Sequence, residues 1–106
     1  MEGEISGKIE FSGFKDIDDS AMVDVNASVR KKLKRLAEVC KGIEKITVQL
    51  KKVHALPRSE KYEIHARLTM ANGKAYTSTI TDYNLLFAIE EALENIESEA
   101  CKKRVL

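Results

Sequence analysis

The five glycines of this 106-residue chain, Gly3, Gly7, Gly13, Gly42 and Gly73, are too scattered to gather into a phosphate-cradling loop. None flanks a serine in the way a nucleophile elbow requires, and with no other catalytic constellation in the sequence the expectation is a protein that is not an enzyme. Two cysteines, Cys40 and Cys101, are too few for a disulfide framework, so both are expected reduced and partly buried. Together with His54 and His65 they make a set of zinc-ligand types, yet no two lie two to four residues apart, so neither a metal nor any other cofactor is expected. Asp16, Asp18 and Asp24 do not make a calcium loop either. Ala21 stands where such a loop needs Gly, and Ala27 where it needs a bidentate Glu.

Long apolar runs are also missing. Nothing approaches the roughly 20 residues that cross a bilayer, and the start, Met1-Glu2-Gly3-Glu4, is acidic where a secretory signal would be basic and then greasy. A cytoplasmic protein without a membrane partner is the expectation. The length and a hydrophobic content of 43% fit one domain over 1–106 with a single core.

What the chain does have is charge, unevenly placed. The formal net charge is only +1, but residues 1–23 hold six acids against Lys8 and Lys15. Residues 24–61 reverse this with eleven bases against four acids, and the remainder is mildly acidic. A polyanion meets a basic flank. Its densest part is Arg30-Lys31-Lys32-Leu33-Lys34-Arg35, which contains no acid. On a helix, Arg30, Lys31, Lys34 and Arg35 share one side and can track a phosphate backbone. No aromatic residue interleaves with them, so shape or phosphate recognition is expected there in place of base stacking.

Hydrophobic periodicity gives the order β-α-β-β-β-α. Ile9 and Phe11 alternate with polar residues within Gly7 to Gly13, a first strand. Phe14 to Met22 has no period and reads as a loop, with the first helix starting at Asp24 or Asn26, either of which can cap it. Val29, Leu33, Leu36, Ala37 and Cys40 form its stripe, and Lys41-Gly42 supplies a basic last turn and a left-handed stop. The period then falls to 2 through Ile46, Val48 and Leu50, is broken over 55–59 around Pro57, and resumes from Tyr62 to Met70. Asn72-Gly73 suits a tight hairpin into Lys74 to Ile80. A last helix from Asn84 to Lys102 carries the stripe Leu85, Leu86, Ile89, Leu93, Ile96 and Ala100.

Each element has one apolar face, so the expected architecture is α+β: two helices on one face of a four-stranded sheet whose last three strands are antiparallel. The other face should be polar, with Thr47, Gln49, His65, Arg67 and Thr77 on it. An exposed sheet edge offers a place for a second copy to pair, making a homodimer.

The order of elements, Ile9-Glu10-Phe11-Ser12-Gly13, the stretches 28–36, 46–53 and 62–103, and Ala88-Ile89 early in a last helix after an Asn-Gly hairpin together resemble the ribosome hibernation factor family, also called protein Y or sigma-54 modulation proteins. The resemblance implies a fold related to double-stranded RNA-binding domains. It further implies a stress-response, RNA-binding translation regulator that sits on the small ribosomal subunit in the tRNA and mRNA channel. Members carry Lys or Arg along the outward face of the last helix, where this chain has Glu94, Asn95, Ser98 and Glu99. Any RNA footprint is therefore expected nearer the first helix, through Arg30, Lys31, Lys34, Arg35, Lys51, Lys52, Arg58 and Lys61. The competing expectation is a module that keeps the fold, no longer binds ribosomes and offers its acidic last helix to a basic protein partner.

Overall fold

A computed structural model describes residues 8–40, 42–56 and 59–100. It contains β1 (Lys8–Ser12), α1 (Asp19–Val39), β2 (Ile43–Leu56), β3 (Ser59–Met70), β4 (Ala75–Asp82) and α2 (Leu85–Ala100). The strands form one sheet in sequence order. β1 is parallel to β2 through the α1 crossover, while β2, β3 and β4 are successively antiparallel. The expected α+β architecture is present, with both helices packed on one face of the sheet.

Period-2 burial creates that face. Ile46, Val48 and Leu50 of β2 stand opposite Leu68, Ala66 and Ile64 of β3, and all six are buried. They meet Val25, Val29, Leu33 and Leu36 of α1 and Ala88, Ile89, Ala92, Leu93 and Ile96 of α2. Each large aliphatic side chain enclosed here contributes roughly 1.5–3 kcal/mol. No polar or charged residue is buried among the described residues. The outer strands β1 and β4 each have one edge without a strand partner among these residues, the condition that pairing with a second copy would require.

α1 starts one turn or more before the expected Asp24 or Asn26. Its cap is Asp18, in extended conformation, whose carboxylate accepts the Ala21 N–H at 3.2 Å. Half-buried Ile17 and Met22 flank it at the positions of a hydrophobic staple, and Val25 extends the stripe backward. The acids at 16–19 hid this start, because capping needs polar residues where periodicity looks for apolar ones. The other end differs from the expected basic last turn and glycine stop: α1 ends at Val39 with no base in its last turn, extended Cys40 is the cap, its N–H bonded to the Leu36 carbonyl, and Gly42 turns left-handed (φ +86°) only beyond that cap, while Lys41 lies outside the described residues.

The β2–β3 pair is longer than alternation indicated, reaching Val53↔Lys61, His54↔Glu60 and Leu56↔Ser59. Beyond Leu50 the strands outrun the helices; Lys51, Lys52 and Val53 are all exposed, so the backbone ladder continues without any apolar signal. Pro57 lies outside the described residues. The β3–β4 loop is also looser than a two-residue turn. Met70 N–H donates to the Lys74 carbonyl at 2.8 Å, and only Gly73 has positive φ, giving a three-residue loop with glycine in the left-handed position.

α2 is capped by Asn84, whose Oδ1 accepts the Phe87 N–H at 2.9 Å. Its expected stripe is inward, with Ala88 and Ala92 added, and the small side chains of these two let the helix approach the sheet closely. Lys102 and Cys101 lie outside the described residues; Cys40 is buried.

Candidate nucleic-acid interface

The crossover makes α1 and α2 run side by side in the same direction, and they meet along a ladder of polar groups 62 residues apart. Ser28 donates to Glu90 at 3.4 Å, Lys32 to Glu94 at 3.1 Å, and Arg35 Nε pairs with Glu97 at 3.2 Å. Lys32 reaches Glu97 as well, at 3.0 Å. Thus the acids missing from the basic run are supplied by α2. Ser28, Lys32, Arg35 and Glu90, Glu94, Glu97 share the spacing i, i+4, i+7, a match that acquires meaning only once the two helices lie parallel.

Lys32 is the centre of this seam. Desolvation by partial burial pulls its pKa down, but hydrogen bonds and charge attraction from Glu97 and Glu94 outweigh that, and it is held above the ordinary lysine value of 10.5. Because the folded-state pKa is the higher one, the ammonium's stabilisation is fully present below 10.5 and is lost as pH rises through the folded value. Lys32→Met should therefore lower stability at pH 7 by about 1–2 kcal/mol, since two carboxylates lose their shared cation. The difference in urea midpoint between wild type and variant should stay constant up to about pH 10 and shrink above it. A difference that instead vanished on acidification from pH 9 to 7 would contradict this account of the seam.

Outside the seam, Arg30, Lys31 and Lys34 are exposed and carry no ion pair among the described residues. At 100° per residue they fan over about 100° of the helix surface, forming a ridge on the outer face. Arg35 borders the ridge but leans toward α2. Beside them a shallow groove of about 460 Å³ runs between the helices, lined by Lys31, Lys34 and Arg35 and by Glu38, Glu90 and Glu94. Phosphate is favoured along Lys31, Lys34 and Arg35 and opposed by Glu38 of α1 and by Glu90 and Glu94 of α2.

The remaining expected RNA-binding residues do not join this ridge. Lys51 and Lys61 lie on the sheet face opposite the helices, whereas Lys52, one residue on, has the helix-side parity and is exposed past the core. Arg58 lies outside the described residues. The open face bears the anticipated Thr47, Gln49, His65, Arg67 and Thr77, with Lys45 at 3.7 Å from Glu10. His65 is fixed there between Glu63, 2.6 Å from Nε2, and Thr79, 3.2 Å from Nδ1.

Sequence reading missed one feature of this face. Lys61 Nζ sits 5.2 Å from the ring centroid of Tyr83, a residue that is 55% exposed. No grouping of His, Cys, Asp and Glu among the described residues could hold a metal ion, and no described helix is long and apolar enough to cross a membrane.

No family model and no curated protein matches the sequence. Solved structures do resemble the fold. The N-terminal domain of Thermus thermophilus protein Y superposes with a TM-score of 0.67 at 21% identity, covering 91% of this chain and 96% of that one. A ribosomal subunit interface protein from Coxiella burnetii gives 0.62 at 14% identity, covering 93% and 99%. The chain has the protein Y-like fold.

Proposed function

We propose that this protein is a ribosome-associated translation inhibitor, a cytoplasmic, non-catalytic factor of the hibernation type, which docks on rRNA phosphates of the small subunit. The single observation that carries the reading is the α1 ridge, where Arg30, Lys31 and Lys34 point outward without carboxylate partners among the described residues. Structural likeness to a protein Y domain and to a ribosomal subunit interface protein over nearly the whole of each chain supports it. Fold alone would not suffice, since one fold hosts many functions.

The ion-pair seam explains how an acidic α2 is compatible with RNA. Glu94 and Glu97 are held by Lys32 and Arg35, so their charge is partly compensated, and the acids left over orient α2 away from phosphate. Phosphate contacts from the ridge, with Lys52 extending them along the helix side and Arg58, outside the described residues, proposed as a further contact, then position a rigid body whose bulk excludes tRNA or mRNA. Lys51 and Lys61 would serve a contact on the other side of the sheet.

Co-sedimentation with small subunits at low and at moderate ionic strength tests this. Association is expected at low salt and a steep fall with added salt. Absence from the small subunit under both conditions, or a lysate pull-down dominated by a basic protein with no rRNA, would replace the ribosome with a protein partner.

A further inference from the structure

The open face of the sheet is a surface that the α1 ridge leaves unexplained. Its rows follow from the strand registers: Val53, Lys61 and Tyr83 at the hairpin end, then Lys51, Glu63 and Thr81, then Gln49, His65 and Thr79, then Thr47, Arg67 and Thr77. From Lys61 to Thr69 this face extends eight residues along β3, about 27 Å at 3.4 Å per residue, room for about four nucleotides of an extended strand.

Its charge is one-sided. Four cations, Lys45, Lys51, Lys61 and Arg67, stand against two described acids, Glu10 at 3.7 Å from Lys45 and Glu63 at 2.6 Å from the His65 ring, which offsets its charge only when protonated. Lys51 and Arg67 have no carboxylate partner among the described residues, and Lys61 rests against an aromatic ring. Between these cations lie hydroxyls and an amide, Thr47, Thr77, Thr81 and Gln49, which can bond base edges and sugars. Tyr83 is the element that selects among anions. The ammonium of Lys61 lies over one side of its ring, 5.2 Å from the centroid, and the residue as a whole is 55% exposed. A planar, electron-poor base can stack on what is left, with the cation behind adding to the attraction. A duplex cannot use such a ring, because its bases are already stacked on one another.

We infer that this open face is a second contact surface, which binds a short unpaired stretch of RNA and stacks one base on Tyr83. The inference rests on the proposed RNA ligand but not on the α1 ridge, which faces the other way. A single strand passing beneath the sheet and a phosphate backbone against α1 would hold the protein from both sides.

The test uses the full chain and fluorescein-labelled octauridylate, read by fluorescence anisotropy. Tyr83→Ala should weaken binding about thirtyfold, the midrange of loss for one stacked base, and Tyr83→Phe should restore it to within about twofold. Lys61→Gln should flatten the salt dependence by about 0.7 log units, the value for one cation on a single strand. The protein has no tryptophan, so Tyr83→Trp adds a single indole whose emission should be quenched on saturation. Annealing the oligomer to oligoadenylate should abolish the Tyr83 effect. Tyr83 lies between β4 and α2 and is exposed, and unchanged urea midpoints will confirm that the variants fold.

Octauridylate binding that ignores Tyr83→Ala, unquenched indole emission at saturation, or no binding by the wild type would overturn the inference. So would equal sensitivity with duplex. If ribosome co-sedimentation persists in those cases, the proposed function stands and only the second surface falls. Abolished ribosome association with Tyr83-dependent octauridylate binding intact would do the reverse.

Discussion

Replacing Arg30, Lys31 and Lys34 together by Gln should reduce the log-log salt dependence of ribosome association by about two to three units. Each phosphate that the ridge no longer neutralises keeps its condensed counterion, so the two binding lines converge near 1 M salt and diverge below it. At 0.1 M the expected weakening is then about two to three orders of magnitude. Gln has nearly the helix propensity of Lys and Arg, and all three positions are exposed, so stability should shift by less than about 1 kcal/mol. Arg35 is left out on purpose. Its guanidinium pairs with Glu97, and removing it would mix a weakened helix-helix seam into the binding measurement. A folded triple variant with wild-type affinity and salt slope would reduce the ridge to solvated surface and end the proposed mode of binding.

The ridge could be seen in the sequence because its residues are neighbours on one helix, where spacing alone dictates direction. The seam is a different matter. Lys32 looked like one more member of a basic run, and only the parallel placement of α2, set by a crossover and a hairpin meander, brings Glu94 and Glu97 to it. The sheet registers act likewise on Lys61 and Tyr83, which are 22 residues apart and meet because β3 and β4 pair with Tyr62 opposite Asp82. Lys51 and Lys52 are the opposite case. Period 2 already places them on different faces, and treating them as one basic step overlooked a rule the sequence obeys.

Element ends were harder to read than element centres for a related reason. Ile46 to Leu50 and Ile64 to Leu68 announce themselves because burial on one side forces alternation. Past Leu50 that force weakens, since Lys51, Lys52 and Val53 are exposed, and the β2–β3 pairing continues to Leu56↔Ser59. The first turn of α1 was hidden by its own cap, since Asp18 and Asp19 are favourable there for their carboxylates.

The largest stability effect expected of a single small substitution is at Gly13. Both Gly13 and Gly73 adopt positive φ, +83° and +96°, where any L side chain is disfavoured by about 1–2 kcal/mol. They differ in what surrounds them. A methyl group on Gly73 would meet nothing within 4 Å, whereas one on Gly13 would overlap the carbonyl oxygen of Leu50. That oxygen belongs to the backbone of β2 and cannot rotate away, so the sheet edge or the start of the turn into α1 must move, adding about 1–3 kcal/mol. Gly13→Ala should therefore cost about 3 kcal/mol and Gly73→Ala about 1, read as urea midpoints at unchanged slope. The contrast also bears on binding, because the turn after Gly13 leads into the helix that carries the ridge. Equal costs at the two sites would mean that backbone conformation alone governs both, and that the close approach of Gly13 to Leu50 does not fix β1 against β2.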